Sequence, residues 1–312
     1  MTERTTLALF ARRADLSFMR PLLEKADPTL DIVTWPDPRC AEATVGVGWE
    51  APDGIYAQMP KLRLVHSLAA GVDNLVLGHE LGSASVCRVV DPGLADGMLQ
   101  YVLWSVLYFH RQFDVVLANQ PRKAWNRLPP PLPAPKFRVG LMGLGELGGH
   151  IASVLPRLGY TVLGWSRSPR QIDDVETFHG DSGLTRFLAR TDVLVCLVPL
   201  TPQTRGILSR RVFDALPEGA ALVHVGRGEH LVEQDLRDAL ASGRLRGAVL
   251  DVFAQEPLPA DNALWGTPGV VVTPHMASMA DWGVVATQIT ANVQRLRRGE
   301  PLANVVDLTR GY

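Results

Sequence analysis

Short apolar runs alternate with polar or helix-like stretches along the first ninety residues of the chain. These runs are TLALFA, LDIVTW, ATVGVGW, LRLVHSLAAG and SVCRVV. A second series begins with FRVGLMG and continues through YTVLGW, VLVCLVP, ALVHVG, AVLDVF and VVVTPH, with helix-like segments such as EQDLRDALASGRLRG between them. Strands that alternate with helices are typical of parallel sheets. We therefore predict an α/β fold with two parallel sheets, of which the second is doubly wound like a Rossmann domain.

A long apolar stretch over residues 91–113 separates the two series and contains MLQYVLWSVLYFHRQF. A helix that is apolar on every side has to be covered, so we predict a buried helix. Its longest apolar run is too short to cross a bilayer. The proline-rich LPPPLPAPK at 128–136 cannot continue a helix and predicts a connector.

Composition narrows the class of protein. The 312 residues are enough for two domains with a cleft between them. The chain is 46% hydrophobic and 20% charged with a net charge of -1, which argues against general nucleic-acid binding. The start, MTERTTLALFARR, lacks the basic leader and long apolar core of a signal peptide, so we expect a cytoplasmic protein. Cys40, Cys87 and Cys196 lack metal-ligand spacing, and we expect reduced core thiols and no metal site.

A glycine-rich turn, GLGELG, follows the strand FRVGLM. Gly143 permits a tight turn, Gly145 lets a pyrophosphate approach the backbone, and Gly148 lets helix and strand pack closely. The following helix offers its N-terminal N–H groups to phosphates. We assign this turn, including Glu146 and Leu147, to a dinucleotide site. The side chain of Glu146 is expected to face solvent. The alternative is a strand-to-helix turn that binds nothing.

The end of the next strand distinguishes the two nicotinamide cofactors. An acid there binds the ribose hydroxyls of NAD, and this chain has WSRSPR instead. Ser166, Arg167, Ser168 and Arg170 can donate hydrogen bonds to a 2'-phosphate. We predict a preference for NADP(H), with Arg167 as the first contact. The alternative is that these arginines are solvated loop charges.

Three later stretches, HVGRGEH, LDVFAQEPLP and VVVTPHMAS, carry reactive side chains at the ends of predicted strands. The carboxyl ends of parallel strands meet at one edge, so Arg227, Glu256 and His275 can converge there. We predict that His275 donates a proton to a ketone oxygen, that Glu256 orients the ring, and that Arg227 binds and polarises a 2-oxo acid. Taken singly, each of the three residues is more often structural. We expect His224 to pack in the strand and His230 to face solvent at a helix start, and assign neither to catalysis.

The chain resembles the D-2-hydroxyacid dehydrogenase superfamily, and more closely its NADPH-dependent glyoxylate/hydroxypyruvate reductase A group. The motifs that carry the resemblance are GLGELG, LVPLTPQTRGIL, VGRGEHLVEQDLRDAL, GAVLDVFAQEPLP, ALWGTPGVVVTPHMA and VVDLTRGY. The resemblance implies that Arg227, Glu256 and His275 are the catalytic Arg, Glu and His, with His275 as the proton donor.

The same resemblance implies further site residues. Backbone amides around Ala70, Gly71 and Val72, in LAAGVDNL, would bind the substrate carboxylate, and Trp49 would wall the pocket or simply pack in the core. The resemblance also places a second group near the cofactor, namely Asp251 at the nicotinamide carboxamide, with Leu200, Thr201 and Val225 along the cleft.

The resemblance further implies a discontinuous substrate-binding domain, residues 1–92 plus 284–312, and a dinucleotide-binding domain over 93–283. The apolar helix near 99–111 would then pack across a two-fold homodimer, although simple core packing is the alternative. Two positions depart from many relatives: His224 stands in place of an Asn, and Asp281 lies where an arginine is common. An acid at 281 would weaken the binding of small, strongly acidic substrates.

We therefore predict an NADPH-dependent reductase of glyoxylate or hydroxypyruvate, with no membrane partner. One alternative is a reductase of a larger 2-oxo acid such as phenylpyruvate. The other is a dinucleotide-sensing binding protein on the same scaffold.

Overall fold

The computed structural model describes residues 4–308. The chain divides into two compact units, Met1–Gly93 with Ala280–Tyr312, and Leu94–Met279. The outermost residues of the predicted segments 1–92 and 284–312, together with the end of the motif VVDLTRGY, lie outside the described residues.

The first unit is built on a parallel sheet. Its strands are β1 (Thr5–Ala11), β2 (Leu30–Thr34), β3 (Val45–Trp49), β4 (Leu64–Ser67) and β5 (Ser85–Cys87). They lie in the order β2-β1-β3-β4-β5, which is the flavodoxin-like order. The first helices of this unit are α1 (Met19–Ala26) and α2 (Asp73–Val76).

The second unit carries a seven-stranded parallel sheet. Its strands are β6 (Arg138–Met142), β7 (Thr161–Ser166), β8 (Val175–His179), β9 (Val193–Cys196), β10 (Ala220–His224), β11 (Leu245–Leu250) and β12 (Val270–Val272). The order β12-β11-β10-β9-β6-β7-β8 is the doubly wound order with one strand added at an edge. Its helices are α3 (Pro92–His110), α4 (Phe113–Asn119), α5 (Glu146–Val154), α6 (Gly180–Leu188), α7 (Arg210–Ala215) and α8 (Glu233–Ala241).

The chain then returns to the first unit through α9 (Trp282–Arg298), which packs against α1. Asp281 is the N-cap of α9, and its carboxylate accepts hydrogen bonds from the N–H groups of Gly283 and Val284. At the other end of α9, Arg297 donates to the buried carboxylate of Asp27 at 2.8 Å. Asp281, which the sequence predicted to affect substrate binding, therefore has a structural role as the cap of α9.

The predicted fold class, α/β with two parallel sheets, is confirmed. Three details differ from the sequence-based expectations. The edge strand β8 was not predicted, because its sequence VETFH lacks a continuous apolar run. Helix α8 ends at Ala241, before a glycine with φ +76°, so the second half of EQDLRDALASGRLRG is turn and strand.

The third difference concerns α3, which buries Val102, Val106 and Phe109 but leaves Trp104 and Leu107 exposed in the single chain. The prediction of a buried helix thus holds for one face only. Within residues 4–308, no helix is both long and apolar enough to cross a membrane.

Candidate functional site

The glycine turn lies where the strand order of the second sheet reverses, between β6 and α5. Gly143 has φ +114°, a conformation that side chains rarely adopt. A Cβ added to Gly148 would lie 2.0 Å from the carbonyl oxygen of Gly143, so only glycine allows this close approach. A Cβ at Gly145 would meet nothing within 4 Å, and Glu146 is exposed as expected. A tight turn that is open at Gly145 fits a dinucleotide pyrophosphate at the N-terminus of α5.

The polar residues expected to bind a 2'-phosphate follow β7. Ser166 closes the strand, and its hydroxyl donates to the carbonyl oxygen of Ser168 at 2.7 Å. Arg167 and Arg170 are both exposed, and the carbonyl oxygen of Arg170 accepts a hydrogen bond from Thr177. These interactions hold the loop against β8, the strand that the sequence did not predict, and leave two guanidinium groups at its surface. The positive loop fits a phosphate dianion better than a pair of ribose hydroxyls.

The other residues assigned to the cofactor have buried positions after β9 and β10. Leu200, Thr201 and Val225 are all buried. Thr201 belongs to a turn in which its N–H donates to Thr204 Oγ1 at 2.8 Å, while that hydroxyl donates to Pro199 O at 2.7 Å. These two hydrogen bonds hold the loop in place. Leu147, which was assigned to the cofactor with the glycine turn, is half-buried.

His275 and Glu256 form the clearest reactive pair of the second unit. His275 Nδ1 lies 2.7 Å from Glu256 Oε2, and Glu256 Oε1 accepts the N–H of Phe253 at 2.9 Å. His275 has φ +52°, the left-handed region that a residue of this type seldom occupies. Because Nδ1 faces the carboxylate, Nε2 is the atom through which the ring would exchange a proton with a ligand.

Asp251 holds the backbone around His275. It is buried, and its Oδ1 accepts hydrogen bonds from the hydroxyl of Thr273 at 2.6 Å and the N–H of Met276 at 2.9 Å. Its Oδ2 accepts the N–H of Ala277 at 2.8 Å, and its main-chain carbonyl accepts the N–H of His275 at 2.9 Å. These bonds fix the left-handed turn from both sides. The family resemblance places Asp251 near the nicotinamide, and the sequence did not predict that Asp251 also holds this turn.

The pKa of Glu256 is lowered. Burial disfavours its charged form, but hydrogen bonds from His275 and from the N–H of Phe253, with the positive charges of His275 and Arg227, outweigh that effect. The carboxylate is therefore ionised at neutral pH and able to orient the imidazole. Arg227 makes the smallest of these contributions, and its positive charge acts on Glu256 in the same direction as the hydrogen bonds.

Arg227 follows the end of β10 and is half-buried. Its Nη1 donates to the carbonyl oxygen of Gly226 at 2.9 Å. The imidazoles of His224 and His230 form hydrogen bonds with the main chain of Arg227. The expectation that His230 faces solvent is wrong: its side chain is fully buried, because a short helical turn over Gly228–His230 directs it back toward β10.

The residues assigned to the substrate carboxylate lie in the first unit, at the carboxyl ends of its strands. Trp49 ends β3 and is half-buried, while Ala70, Gly71 and Val72 lie between β4 and α2. Ser67 braces their loop, because its hydroxyl donates to Gly71 O at 2.8 Å and accepts the N–H of Ala69 at 3.1 Å. The structure thus brings Arg227, Glu256 and His275 together within one unit and places these four residues in the other.

Comparison with known proteins identifies the family to which this chain is similar. Residues 103–277 match the family model described as D-isomer specific 2-hydroxyacid dehydrogenase, NAD binding domain. The chain is 36% identical over 296 residues to glyoxylate/hydroxypyruvate reductase A of Yersinia enterocolitica, covering 93% of this chain and 94% of that protein.

Two solved structures show the same similarity. A D-isomer specific 2-hydroxyacid dehydrogenase family protein from Klebsiella pneumoniae 342 superposes with a TM-score of 0.93 at 44% identity, covering 98% of each chain. The NADPH-dependent glyoxylate/hydroxypyruvate reductase of Sinorhizobium meliloti, in complex with NADP and sulfate, gives a TM-score of 0.90 at 34% identity. That match covers 99% of this chain and 100% of the other.

Proposed function

This chain belongs to the D-isomer specific 2-hydroxyacid dehydrogenase family, and we propose that it reduces small 2-oxo acids with NADPH, glyoxylate to glycolate and hydroxypyruvate to D-glycerate. Membership of the family makes it an NAD(P)-dependent oxidoreductase. The observation that carries the proposed reaction is the 2.7 Å hydrogen bond between His275 Nδ1 and the ionised carboxylate of Glu256.

The residues of the second unit divide the work of carbonyl reduction. When bound, the reduced nicotinamide supplies the hydride. His275, held by Glu256 through Nδ1, gives a proton from Nε2 to the carbonyl oxygen as that oxygen becomes negative. Arg227 binds the 2-oxo acid and stabilises the negative charge on the same oxygen. In the reverse direction the neutral imidazole takes the proton back.

The cofactor proposal rests on the two ends of the dinucleotide site. The turn at Gly143, Gly145 and Gly148 fits the pyrophosphate, and the exposed Arg167 and Arg170 fit the 2'-phosphate. The reductase of Sinorhizobium meliloti is named NADPH-dependent and holds NADP, which supports the same preference here. We keep Asp251 near the nicotinamide as a proposal, with Leu200, Thr201 and Val225 along the cofactor.

The substrate proposal assigns the acid group to the backbone amides of Ala70, Gly71 and Val72, with Trp49 as a wall. On this assignment the unit formed by Met1–Gly93 and Ala280–Tyr312 binds substrate, and Leu94–Met279 binds the dinucleotide. We also propose that the enzyme works in the cytoplasm, where its three free, buried cysteines would stay reduced.

Initial rates with purified protein test the proposed reaction. NADPH and, separately, NADH are supplied with glyoxylate, hydroxypyruvate, pyruvate and phenylpyruvate, and loss of the reduced nicotinamide is followed by absorbance. We expect the highest kcat/KM with NADPH and the two small acids. A preference for phenylpyruvate would favour the reductase of larger acids, and NADPH binding without turnover of any acid would favour the sensing protein.

Replacing Arg167 by alanine is expected to reduce the preference for NADPH over NADH by about tenfold to one-hundredfold, because a charge-assisted hydrogen bond to the 2'-phosphate is lost. The measurement is kcat/KM for each cofactor at saturating glyoxylate. Arg157→Ala provides a surface control on the same unit. An unchanged NADPH to NADH ratio in Arg167→Ala would mean that the arginine is only a solvated charge.

Glu256→Gln is expected to lower kcat/KM and to change the acid limb of its pH profile. Because the pKa of Glu256 is lowered, its carboxylate stays charged until the pH falls below the ordinary carboxyl range, and it accepts the hydrogen bond from His275 Nδ1 throughout the range above. Glutamine keeps the shape but not the charge, so kcat/KM at neutral pH should fall by about tenfold, and the part of the acid limb that protonation of Glu256 produces should disappear. A pH profile and a rate identical to those of the parent enzyme would exclude the proposed role of the carboxylate.

A homodimer is proposed from the exposed apolar surface of α3, α4 and the segment after them. Trp125 is 93% exposed, and Trp104, Phe113 and Leu117 are about half exposed. Arg246 anchors α4 to β11 through the carboxylate of Asp114, at 2.7 Å. Several exposed apolar side chains on neighbouring segments are typical of an interface between copies of one chain.

The double substitution Phe113→Glu with Leu117→Glu should therefore convert a dimer to a monomer, since two charges would be buried at the interface. Sedimentation velocity gives the mass of each species. The control is Trp265→Glu, which adds a charge at another exposed tryptophan. A parent protein that sediments as a monomer at micromolar concentration would contradict the dimer.

A further inference from the structure

Two buried histidines enclose the main chain of Arg227. His224 is the last residue of β10, and His230 ends the short helical turn that follows Arg227. Both side chains have no solvent exposure, and their ring centroids lie 5.7 Å apart. Buried imidazoles are usually held by specific hydrogen bonds, and here the bonds of both rings converge on one residue.

The bonds occupy both polar groups of Arg227's main chain. His224 Nε2 lies 2.8 Å from Arg227 O, and the N–H of Arg227 donates to His230 Nδ1 at 3.0 Å. A carbonyl oxygen only accepts, so His224 must carry its proton on Nε2. An N–H only donates, so His230 must present a lone pair at Nδ1. Both rings are therefore held in the same Nε2–H tautomer, one as a donor and the other as an acceptor toward the same residue.

These two hydrogen bonds form a clamp on the main chain of Arg227. Burial, with the positive charge of Arg227, lowers the pKa of His224 to about 3, although the hydrogen bond to Arg227 O acts in the opposite direction. The His224 ring is consequently neutral above acidic pH, and its hydrogen bond to Arg227 O keeps the same form over the pH range in which enzymes work.

Close contacts of the flanking glycines restrict the same loop. A Cβ added to Gly226 would lie 2.9 Å from His230 Nδ1, and one added to Gly228 would lie 1.8 Å from the carbonyl carbon of Phe253. The loop thus lies directly against the imidazole on one side and against the segment leading to Glu256 on the other. Any shift of Arg227 along its chain would disturb one of these contacts.

We propose that His224 and His230 are positioning residues that hold the main chain of Arg227 so that its guanidinium is presented to the 2-oxo acid. The inference rests on the function proposed for Arg227 and adds the means by which that arginine is oriented. Neither histidine touches the substrate; each acts through the peptide groups of Arg227. A displacement of about 1 Å in such a group typically costs about one-hundredfold in rate.

A metal centre is the competing interpretation of the same cluster, because Cys196 lies beside both rings and the three ligand atoms fall within 4.8 Å of one another. The tautomers argue against it. A metal ligand needs a lone pair, and with Nδ1 of His230 accepting from Arg227, its Nε2 carries the proton of the neutral ring.

Pairs of substitutions at each histidine test the clamp. His224→Gln keeps a donor near the position of Nε2, and His230→Asn keeps an acceptor near the position of Nδ1, whereas leucine removes each group. We expect His224→Leu and His230→Leu to lose about one-hundredfold in kcat/KM for glyoxylate, with a raised KM and a lowered kcat. The Kd for NADPH should stay within about twofold, and the two amide variants should recover most of the rate.

Three further variants separate the possible failures. Cys196→Ala should keep kcat/KM within about twofold. If Cys196→Ala instead loses most of its activity, and if the parent enzyme loses activity on chelation and regains it with added zinc, the cluster is a metal centre. If the leucine variants do not fold, His230→Gln, whose amide oxygen extends past the Nδ1 position, should be less active than His230→Asn. Full activity in all histidine variants, with Arg227→Ala inactive, would overturn the clamp alone, whereas an active Arg227→Ala would overturn the proposed function.

Discussion

Replacing His275 by alanine should lower kcat for glyoxylate reduction by about 10³-fold, which corresponds to about 4 kcal/mol of transition-state stabilisation. The reason is that His275 is the group held with its Nδ1 on Glu256, at 2.7 Å, and with Nε2 directed toward a ligand. Without the imidazole, water has to protonate the carbonyl oxygen, and water is a poor acid at neutral pH. Steady-state kinetics at saturating NADPH measures the loss.

The binding of NADPH should survive this substitution. The glycine turn and the β7 loop are distant in sequence from His275, so the Kd from fluorescence titration should change by less than about twofold. His150→Ala is a matched control, because His150 Nε2 pairs with the carboxylate of Asp96 at 2.9 Å with a similar side-chain exposure, 34% against 36% for His275. A His275→Ala protein that kept most of its kcat would exclude the proposed proton donor.

Removing the guanidinium of Arg227 is expected to have the second large effect. Arg227→Ala should lower kcat/KM for glyoxylate by about 10³-fold, because it removes both a carboxylate ligand and a donor to the developing oxyanion. Arg227→Lys should recover only a small part, since an ammonium group cannot form two parallel hydrogen bonds. Kinetics with varied glyoxylate separates the rise in KM from the fall in kcat.

The charge of Arg227 also bears on Glu256, whose pKa it helps to lower. The acid limb of the pH profile in Arg227→Lys should therefore stay close to that of the parent enzyme, while in Arg227→Ala it should move to higher pH. Arg210→Ala, which breaks an exposed ion pair with Asp238, is the control for general effects of losing an arginine. If Arg227→Ala weakened NADPH binding and left the KM for glyoxylate unchanged, the residue would belong to the cofactor site.

Much of the fold followed from local pattern. Apolar runs bounded by polar segments predicted β1 through β7 and the four strands β9 to β12, because buried parallel strands are apolar on both faces. The pattern failed at β8, an edge strand with charged and polar residues, and in the second half of the predicted helix at 233–247. At both places the neighbouring sheet, rather than local composition, determines the conformation.

The candidate site could be predicted from the sequence only in part. Spacing alone identified Gly143, Gly145 and Gly148, and the strand-end rule placed Arg227, Glu256 and His275 at one edge. Nothing in the sequence predicted that Asp251 would brace the turn at His275. The sequence correctly predicted that His224 packs in its strand, but it wrongly placed His230 in solvent, because the short helical turn that buries His230 has no signal in the local pattern.

Residue type and order were enough to predict the class of chemistry, because they contain a glycine turn suited to a dinucleotide, a loop with arginines in place of an acid, and an Arg, Glu and His at strand ends. The way in which these groups are held is a property of the folded chain. The tautomers of His224 and His230, the left-handed turn at His275 and the lowered pKa of Glu256 depend on atoms brought close from separate strands. Hydrogen bonding and burial act over a few ångströms in space, and one-dimensional spacing does not encode those distances.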